Sequence, residues 1–302
     1  MGVFHLCGLG INPGALTVPL TYIYTLLKAA SKGDPEAQRF FESSGEAGQK
    51  LKGAPEYIIV FTSEDVISGK ARAKEVRDNW FHNKDTSVRV VGSYLSDLWK
   101  KLRFQPFYDG EWVKGIYLVK VRHDNFDDCF QKIGTTFYAL RDKEIWVNLT
   151  GGTNQINFAL LLGGCFTATA ASYYYVFQQD TSLLHPEGLE LREIEEKRTV
   201  DEILRRWNEL PLFQLQIGET LMKLQERFAE REILNRSEVV KILGGEEMLP
   251  KFRRFLSFEE DKVRRGILFE KVVSLMDKID RKVDNFSKWL DWAKGEGILS
   301  EL

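Results

Sequence analysis

The sequence predicts an α/β protein with a mostly parallel sheet, followed by a helical C-terminal part. Three observations carry this. Apolar runs such as "VFHLCGL" and "YIIVFTS" are continuous rather than alternating, as strands covered on both faces require. Most of these runs are followed by a stretch with helical spacing, which gives the strand-helix alternation of a parallel sheet. After about Glu195 that alternation stops and amphipathic helices take over.

The elements follow in order. "VFHLCGL" is a first strand closed by Gly10, and "LTVPLTYIYTLLKAA" is a helix. Residues 32–56, rich in Gly, Ser, Pro and charge, read as a surface insertion. "YIIVFTS" is the second strand, with a charged helix from Gly69 to Phe81 after it. "VRVVGS" reads as a strand, with a helix over Leu95 to Leu102. "IYLVKV", a helix over Asn125 to Leu140, "EIWVNLT", an apolar helix from Gln155, "YYYVFQ" and "LELREI" complete the alternation. The remaining residues hold helical patterns only, including "VDEILRRWNEL" and "GILFEKVVSLMDKIDRKVDNFSKWLDWAKG". At 302 residues the chain has room for about two domains of roughly 150 residues each. They are placed at 1–197 and 198–302.

Composition narrows the function. A net charge of −2 gives no whole-protein case for nucleic acid or membrane binding. The most apolar segment, "INFALLLGGCFTATAASYYYVF", carries polar residues throughout and ends in a strand pattern, so no membrane span is expected. No basic and apolar leader with a cleavage site opens the sequence. Cys7, Cys129 and Cys165 are unclustered in apolar settings, as reduced core thiols are, so a cytoplasmic protein without a metal site is expected.

Two loops have the composition of a ligand site. "GLGINPG" follows the first strand, and "NLTGGTNQ" joins "EIWVN" to the apolar helix. In an open α/β sheet ligands bind beyond the carboxyl ends of the strands, where strand order reverses. Glycine lets backbone approach a ligand, and helix-start amides favour anions. The candidate binding residues are Gly10, Ile11, Asn12, Pro13 and Gly14 in the first loop, and Thr150, Gly151, Gly152, Thr153, Asn154 and Gln155 in the second. Thr62 and Ser63 join them from the end of the second strand. Neither loop has a lysine, arginine or carboxylate, so phosphates would be held by backbone amides. On this view a bulky residue at Gly151 or Gly152 abolishes binding and spares the fold. Spacing alone equally supports a tight strand-to-helix turn with Thr153 as N-cap. Pro13 rules out a dinucleotide fingerprint, and the absence of a GK[ST] lysine rules out a P-loop.

A first strand running into "GLGINPGALTVPLTYIY", with a late strand running into "NLTGGTNQINFAL", resembles the CARF family of CRISPR-associated Rossmann-like sensors over residues 1–195. The resemblance implies a homodimer whose two copies of these loops line one pocket. Its ligand would be a cyclic oligoadenylate, cyclic tetra-adenylate first, in antiviral defence, with no other cofactor. A two-fold ring suits an isologous pocket.

The effector is narrowed by absence. Family members with a HEPN ribonuclease domain need a histidine that the C-terminal part lacks: the four are His5, His82, His123 and His185. "RRGILFEKVVSLMDK" resembles the opening helix of a restriction-type nuclease with Glu270 facing the site, but the expected carboxylate-lysine pair does not follow. The chain as the sensor portion of a larger nuclease is the corresponding alternative. Ring nucleases of the family often carry lysine after Gly-Gly-Thr, where this sequence has Asn154, so whether the ring is cleaved stays open. "ILNRSEVVKILGGEEMLPKFRRFL" has the layout of a winged helix, with Ser237 as N-cap and a basic helix after Gly244-Gly245. Lys251, Arg253, Arg254, Lys262, Arg264 and Arg265 could contact DNA phosphates, although Glu259, Glu260 and Asp261 interrupt them. A solvated face or a dimerisation module is the competing reading. Trp289 and Trp292 read as core or interface. Outside the resemblance, a Rossmann-like enzyme acting on a small molecule is the remaining alternative.

Overall fold

The computed structural model describes residues 3–41, 55–71, 86–103, 115–167, 169, 171–178, 180, 183–188, 200–210 and 217–302. Strand β1 (Val3–Gly8) is followed by helices α1 (Gly14–Ser31) and α2 (Pro35–Phe41). Next come β2 (Pro55–Thr62), the single turn α3 (Glu64–Ile67) and α4 (Ser87–Leu102). Then β3 (Gly115–Lys120), α5 (Phe126–Ala139), β4 (Ile145–Asn148), α6 (Asn154–Thr167) and β5 (Ala171–Val176) complete five parallel strands. Both faces of β1 are buried. Val3 and Cys7 pack in the core under α1 and α4, while Phe4 and Leu6 pack in the core under α5 and α6.

Beyond α7 (Val200–Arg206), strand β6 (Trp207–Leu210) pairs antiparallel with β5. Helix α8 (Ile217–Glu230), β7 (Leu234–Asn235), α9 (Arg236–Leu243), α10 (Leu249–Phe252), β8 (Leu256–Glu259), β9 (Lys262–Arg265) and α11 (Ile267–Met276) enclose a third core. Finally α12 (Phe286–Gly295) and β10 (Leu299–Glu301) return to the first sheet, where β10 pairs antiparallel with β3. The seven-stranded order is therefore β10-β3-β2-β1-β4-β5-β6, and β7-β9-β8 form a small second sheet. Strands from both ends of the C-terminal stretch thus complete the first sheet, so the line expected at 197/198 does not separate the two sheets.

Several elements differ from the sequence reading. "VRVVGS" is not a strand but the first turns of α4: Val88, Val91, Leu95, Leu98 and Leu102 are buried at helical spacing. Thr86 caps that helix by accepting from Arg89 N–H at 3.2 Å. The Val-Arg-Val start imitates strand alternation, and only the longer window shows the period. "WNEL" leaves the helical pattern to become β6. Helix α9 starts at Arg236, with Asn235 rather than Ser237 at the N-cap position. The basic helix expected after Gly244-Gly245 is only the four residues of α10. Within the supposed surface insertion, α2 buries Ala37 and Phe41. "LELREI" and most of the helix expected over 69–81 lie outside the described residues. Trp289 is core, fully buried, with its indole N–H donating to Thr136 Oγ1 at 2.9 Å.

Besides α12 and β10, the C-terminal part meets the first sheet's helices at a joint between α6 and α8. Phe166, near the end of α6, packs against both the α5–α6 core and the C-terminal core. Its carbonyl lies so close to Gly218 that a Cβ there would penetrate it. Gly218→Ala is therefore expected to lower stability by about 1–3 kcal/mol or more, the usual range for overpacking. Gly295→Ala, in the last position of α12 with nothing within 4 Å of the added methyl, should be neutral or stabilising by about 0.5–1 kcal/mol. Urea unfolding midpoints of the two variants test the contrast.

Candidate functional site

Strand β1 is flanked by β2 on one side and β4 on the other, so strand order reverses between β1 and β4. The loops leaving those strands stand side by side. They touch through glycine: a Cβ on Gly151 would lie 2.7 Å from the Gly8 carbonyl oxygen and 2.9 Å from Ala15 Cβ. A Cβ on Gly8 would lie 2.8 Å from the Gly151 carbonyl oxygen, and Gly152 sits at φ +93°, a conformation other residues resist. This corrects the sequence reading of the glycine pair. Its first demand comes from the neighbouring loop, so a bulky side chain at Gly151 or Gly152 is expected to cost stability rather than spare the fold.

Asn148, fully buried at the end of β4, ties the loops to α1. Its Oδ1 accepts from Thr150 N–H at 2.8 Å, and its Nδ2 donates to the Ala15 carbonyl at 3.3 Å. That carbonyl is available because the residue four positions on, Pro19, has no N–H to offer. Thr150 Oγ1 in turn accepts from Val176 N–H at 2.9 Å, fixing the end of β5 against the second loop. On the other side Thr62 Oγ1 donates to the Leu9 carbonyl at 2.9 Å, and Ser87 Oγ donates to the Ile11 carbonyl at 2.8 Å.

Between these loops lies a cavity of about 550 Å³. Gly10, Ile11, Asn12, Gly14, Thr150, Gly151 and Gly152 line it, as the sequence reading groups them. The other candidates do not reach it. Pro13 is buried at the N-cap position of α1, Thr62 is spent on Leu9, and Ser63 caps α3 by accepting from Val66 N–H. Thr153 accepts from Ile156 N–H at 3.4 Å as the start of α6, with Asn154 and Gln155 in the turn that follows. The lining also includes Ala15, Val18, Leu149, Tyr175, Val176, Phe177, Gln178 and Leu210. The contribution of 175–178 was legible in principle, since "YYYVFQ" is a strand and its carboxyl end has to reach this edge. Leu210 was hidden by the helical reading of "WNEL".

Electrostatically the cavity is neutral: among the described residues its lining has no carboxylate, imidazole, thiol, ammonium or guanidinium. Helix α1 starts in its wall without a side-chain cap and without an acidic residue in its first turn, and α6 likewise has no acidic residue in its first turn. The start of α1 therefore presents a positive dipole end without local compensation, while that of α6 has Thr153 Oγ1 as its acceptor. Cys7, just before Gly8, is fully buried, and that burial pushes its thiol far above the usual range. It cannot serve as a thiolate. No group of His, Cys, Asp and Glu able to hold a metal occurs among the described residues, and none of their helices is long and apolar enough to cross a membrane.

These features define an α/β protein with a cavity, uncharged among its described lining residues, at the switch point of a mostly parallel sheet. The chain belongs to one family with an uncharacterized protein of Archaeoglobus fulgidus, 44% identical over 316 aligned positions that cover 100% of this chain and 98% of that protein. No protein-family model matches it. Among solved structures it is similar to Enterococcus italicus Csm6 bound to cyclic hexa-2'-fluoro-hexa-dAMP, with TM-score 0.39 and 11% identity over 84% of this chain. It is also similar to Can2 from Sulfobacillus thermosulfidooxidans in complex with cyclic tetra-adenylate, with TM-score 0.28 and 9% identity over 93% of this chain. The chain spans 52% and 62% of the length of those two structures. Likeness at this level says nothing further about the chain.

The glycine contacts give a direct test. Gly8→Ala and Gly151→Ala are each expected to lose about 1–3 kcal/mol of stability, because the atoms in the way are backbone. Gly10→Ala meets nothing closer than 3.9 Å and should melt like the wild type while intruding on the cavity. Thermal unfolding of the three variants reads this out.

Proposed function

We propose that the protein is a CARF-like sensor that binds a cyclic oligoadenylate, cyclic tetra-adenylate first, in this cavity as a homodimer. The observation that carries the reading is the pairing of "GLGINPG" and "NLTGGTNQ" at the switch point, around a cavity whose described lining is uncharged. The uncapped start of α1 suits a phosphate, and apolar walls suit bases. The chain also exposes apolar groups: Ile11 in the lining is 43% exposed, and Phe158 on the charge-free helix α6 is 58% exposed. A second copy related by a two-fold axis would cover them and double the loops around a symmetric ring. Asn154, where ring-cleaving relatives often carry lysine, is exposed and outside the lining, which favours sensing over cleavage.

Residues 198–302 would receive the signal. Their order α8-β7-α9-α10-β8-β9 fits a winged helix. Lys251, Arg253, Arg254, Lys262 and Arg264 are exposed on it. Arg264 is engaged by Glu259 at 3.7 Å, and Glu259, Glu260 and Asp261 surround the β8–β9 turn. DNA contact therefore falls to the turn after α10, at Arg253 and Arg254, rather than to the hairpin tip. Leu210 in the cavity wall is the last residue of β6, which leads towards α8, and α6 runs from the second loop to the Phe166–Gly218 joint. Both are routes by which an occupied cavity could bias the C-terminal part.

Calorimetry with cyclic tetra-adenylate should give one ring per two chains. One ring per chain, or no heat with rings of any size, sinks the reading. Replacing Arg253 and Arg254 together with alanine should weaken DNA binding and flatten its salt dependence, by roughly one unit of log–log slope for each phosphate no longer neutralised. Ring binding should be unchanged. Filter binding at low salt, with and without ring, checks this, and no DNA affinity in either state would assign the C-terminal part to a protein partner or to the dimer.

A further inference from the structure

We infer that Tyr175 and Phe177 are a stacking platform for an adenine base of the ligand. This rests on the reading of the cavity as a cyclic oligoadenylate site and adds to it the residues that would recognise a base. Both residues line the cavity, and both carry aromatic rings left open, Tyr175 38% and Phe177 68% exposed. Their neighbours on the chain are the opposite: Tyr173, Tyr174 and Val176 are buried. Alternation along β5 explains the inner three, since one face packs under α1 and the other under α6. It does not explain why the strand ends in two large rings facing open space rather than in polar residues.

The backbone beneath the rings is held from three sides. Tyr175 pairs with Asn208 and Val176 with Trp207 on β6, and Thr150 Oγ1 accepts from Val176 N–H at 2.9 Å. Just beyond Phe177, Gln178 Nε2 donates to the carbonyls of Asp180 at 2.6 Å and Leu183 at 3.3 Å, which pins the chain as it leaves the sheet. Rings fixed to a rigid strand lose little freedom when a base lies on them. The rest of the described lining offers amides, hydroxyls and aliphatic groups and no other aromatic ring. Among the described residues of this cavity only Tyr175 and Phe177 offer a flat π-surface, and base stacking on aromatic side chains is the usual device where bases lie unpaired. Phosphates at the glycine loops and a base at the end of β5 place the two halves of a nucleotide against the two chemistries available.

The test uses the full chain and four variants: Phe177→Ala, Phe177→Leu, Phe177→Trp and Tyr175→Ala. Cyclic tetra-adenylate binding is measured by calorimetry, oligomeric state by sedimentation velocity and folding by thermal unfolding. Phe177→Ala, Phe177→Leu and Tyr175→Ala should each weaken binding roughly 10- to 100-fold, the usual range for one stacked base. Phe177→Trp should retain wild-type affinity, and its added indole emission should be quenched by the ring. Wild-type affinity in Phe177→Leu would show that any apolar group serves and overturn the platform. A loss that tracks dissociation into monomers, and is recovered at high protein concentration, would make these rings an interface between copies and overturn it as well. If the wild type takes up no ring, the reading of the cavity falls and the platform with it. If the wild type binds and all four variants bind equally, the platform alone falls.

Discussion

The architecture around the cavity depends on one contact, the backbone of Gly8 against the backbone of Gly151 and Gly152. Two strands leaving a sheet side by side normally keep their loops apart by the width of their side chains. Here a Cβ at Gly8 or Gly151 would stand within 2.8 Å of a carbonyl oxygen across the gap, so the loops close to backbone contact only because neither has one. Asn148 secures the closure by satisfying the Thr150 N–H and the Ala15 carbonyl left over by Pro19. A buried amide with both ends engaged is costly to disturb. Strand β4, the second loop and the first turn of α1 are therefore held as one piece, and the cavity is the space this piece leaves on its outer side.

That contact also shows what the sequence could convey. The continuous apolar runs of β1, β2 and β4 state their burial on both faces, and the apolar helices after β1 and β4 state their place against the sheet, so the switch point and its two loops were legible. The purpose of the glycines was not. A Gly-Gly pair beside a ligand and a Gly-Gly pair beside another loop are the same two letters, and only the position of Gly8 across the gap separates them. Short strands escaped for a different reason. Leu234–Asn235 and Leu299–Glu301 are too brief to show a period, and "WNEL" continues the charge pattern of the helix before it. In α4 the Val-Arg-Val start carried the alternation of a strand, and the tertiary burial of Tyr94, Leu95 and Leu98 decided otherwise.

Helix α6 connects the two ends of the molecule's logic. Its first residue follows the glycine loop, and Phe166, one residue before its end, belongs to both neighbouring cores. Between them Gly163 and Gly164 let the helix press on Phe137 of α5 and on the Tyr173 hydroxyl of β5. A helix packed this closely moves with α5 and the sheet or not at all, because a core at crystal-like density has no slack to absorb a local shift. In the proposed sensor, a displacement of the second loop would have this helix as its route to Gly218, where α8 meets the Phe166 carbonyl.

The absence of charge among the described lining residues bears on how the proposed sensor would discriminate. A lysine or arginine in the lining would attract every abundant anion of the cell, since a point charge reads phosphate and little else. Amide dipoles at the start of α1 and in the glycine loops attract phosphate more weakly and only at defined positions. Affinity must then accumulate from many modest contacts made at once, which a small mononucleotide cannot supply and a large, rigid, symmetric ring can. In the proposed dimer each contact would be made twice without a second ordering cost, so selectivity for the ring over its fragments would follow from the absence of charge rather than despite it.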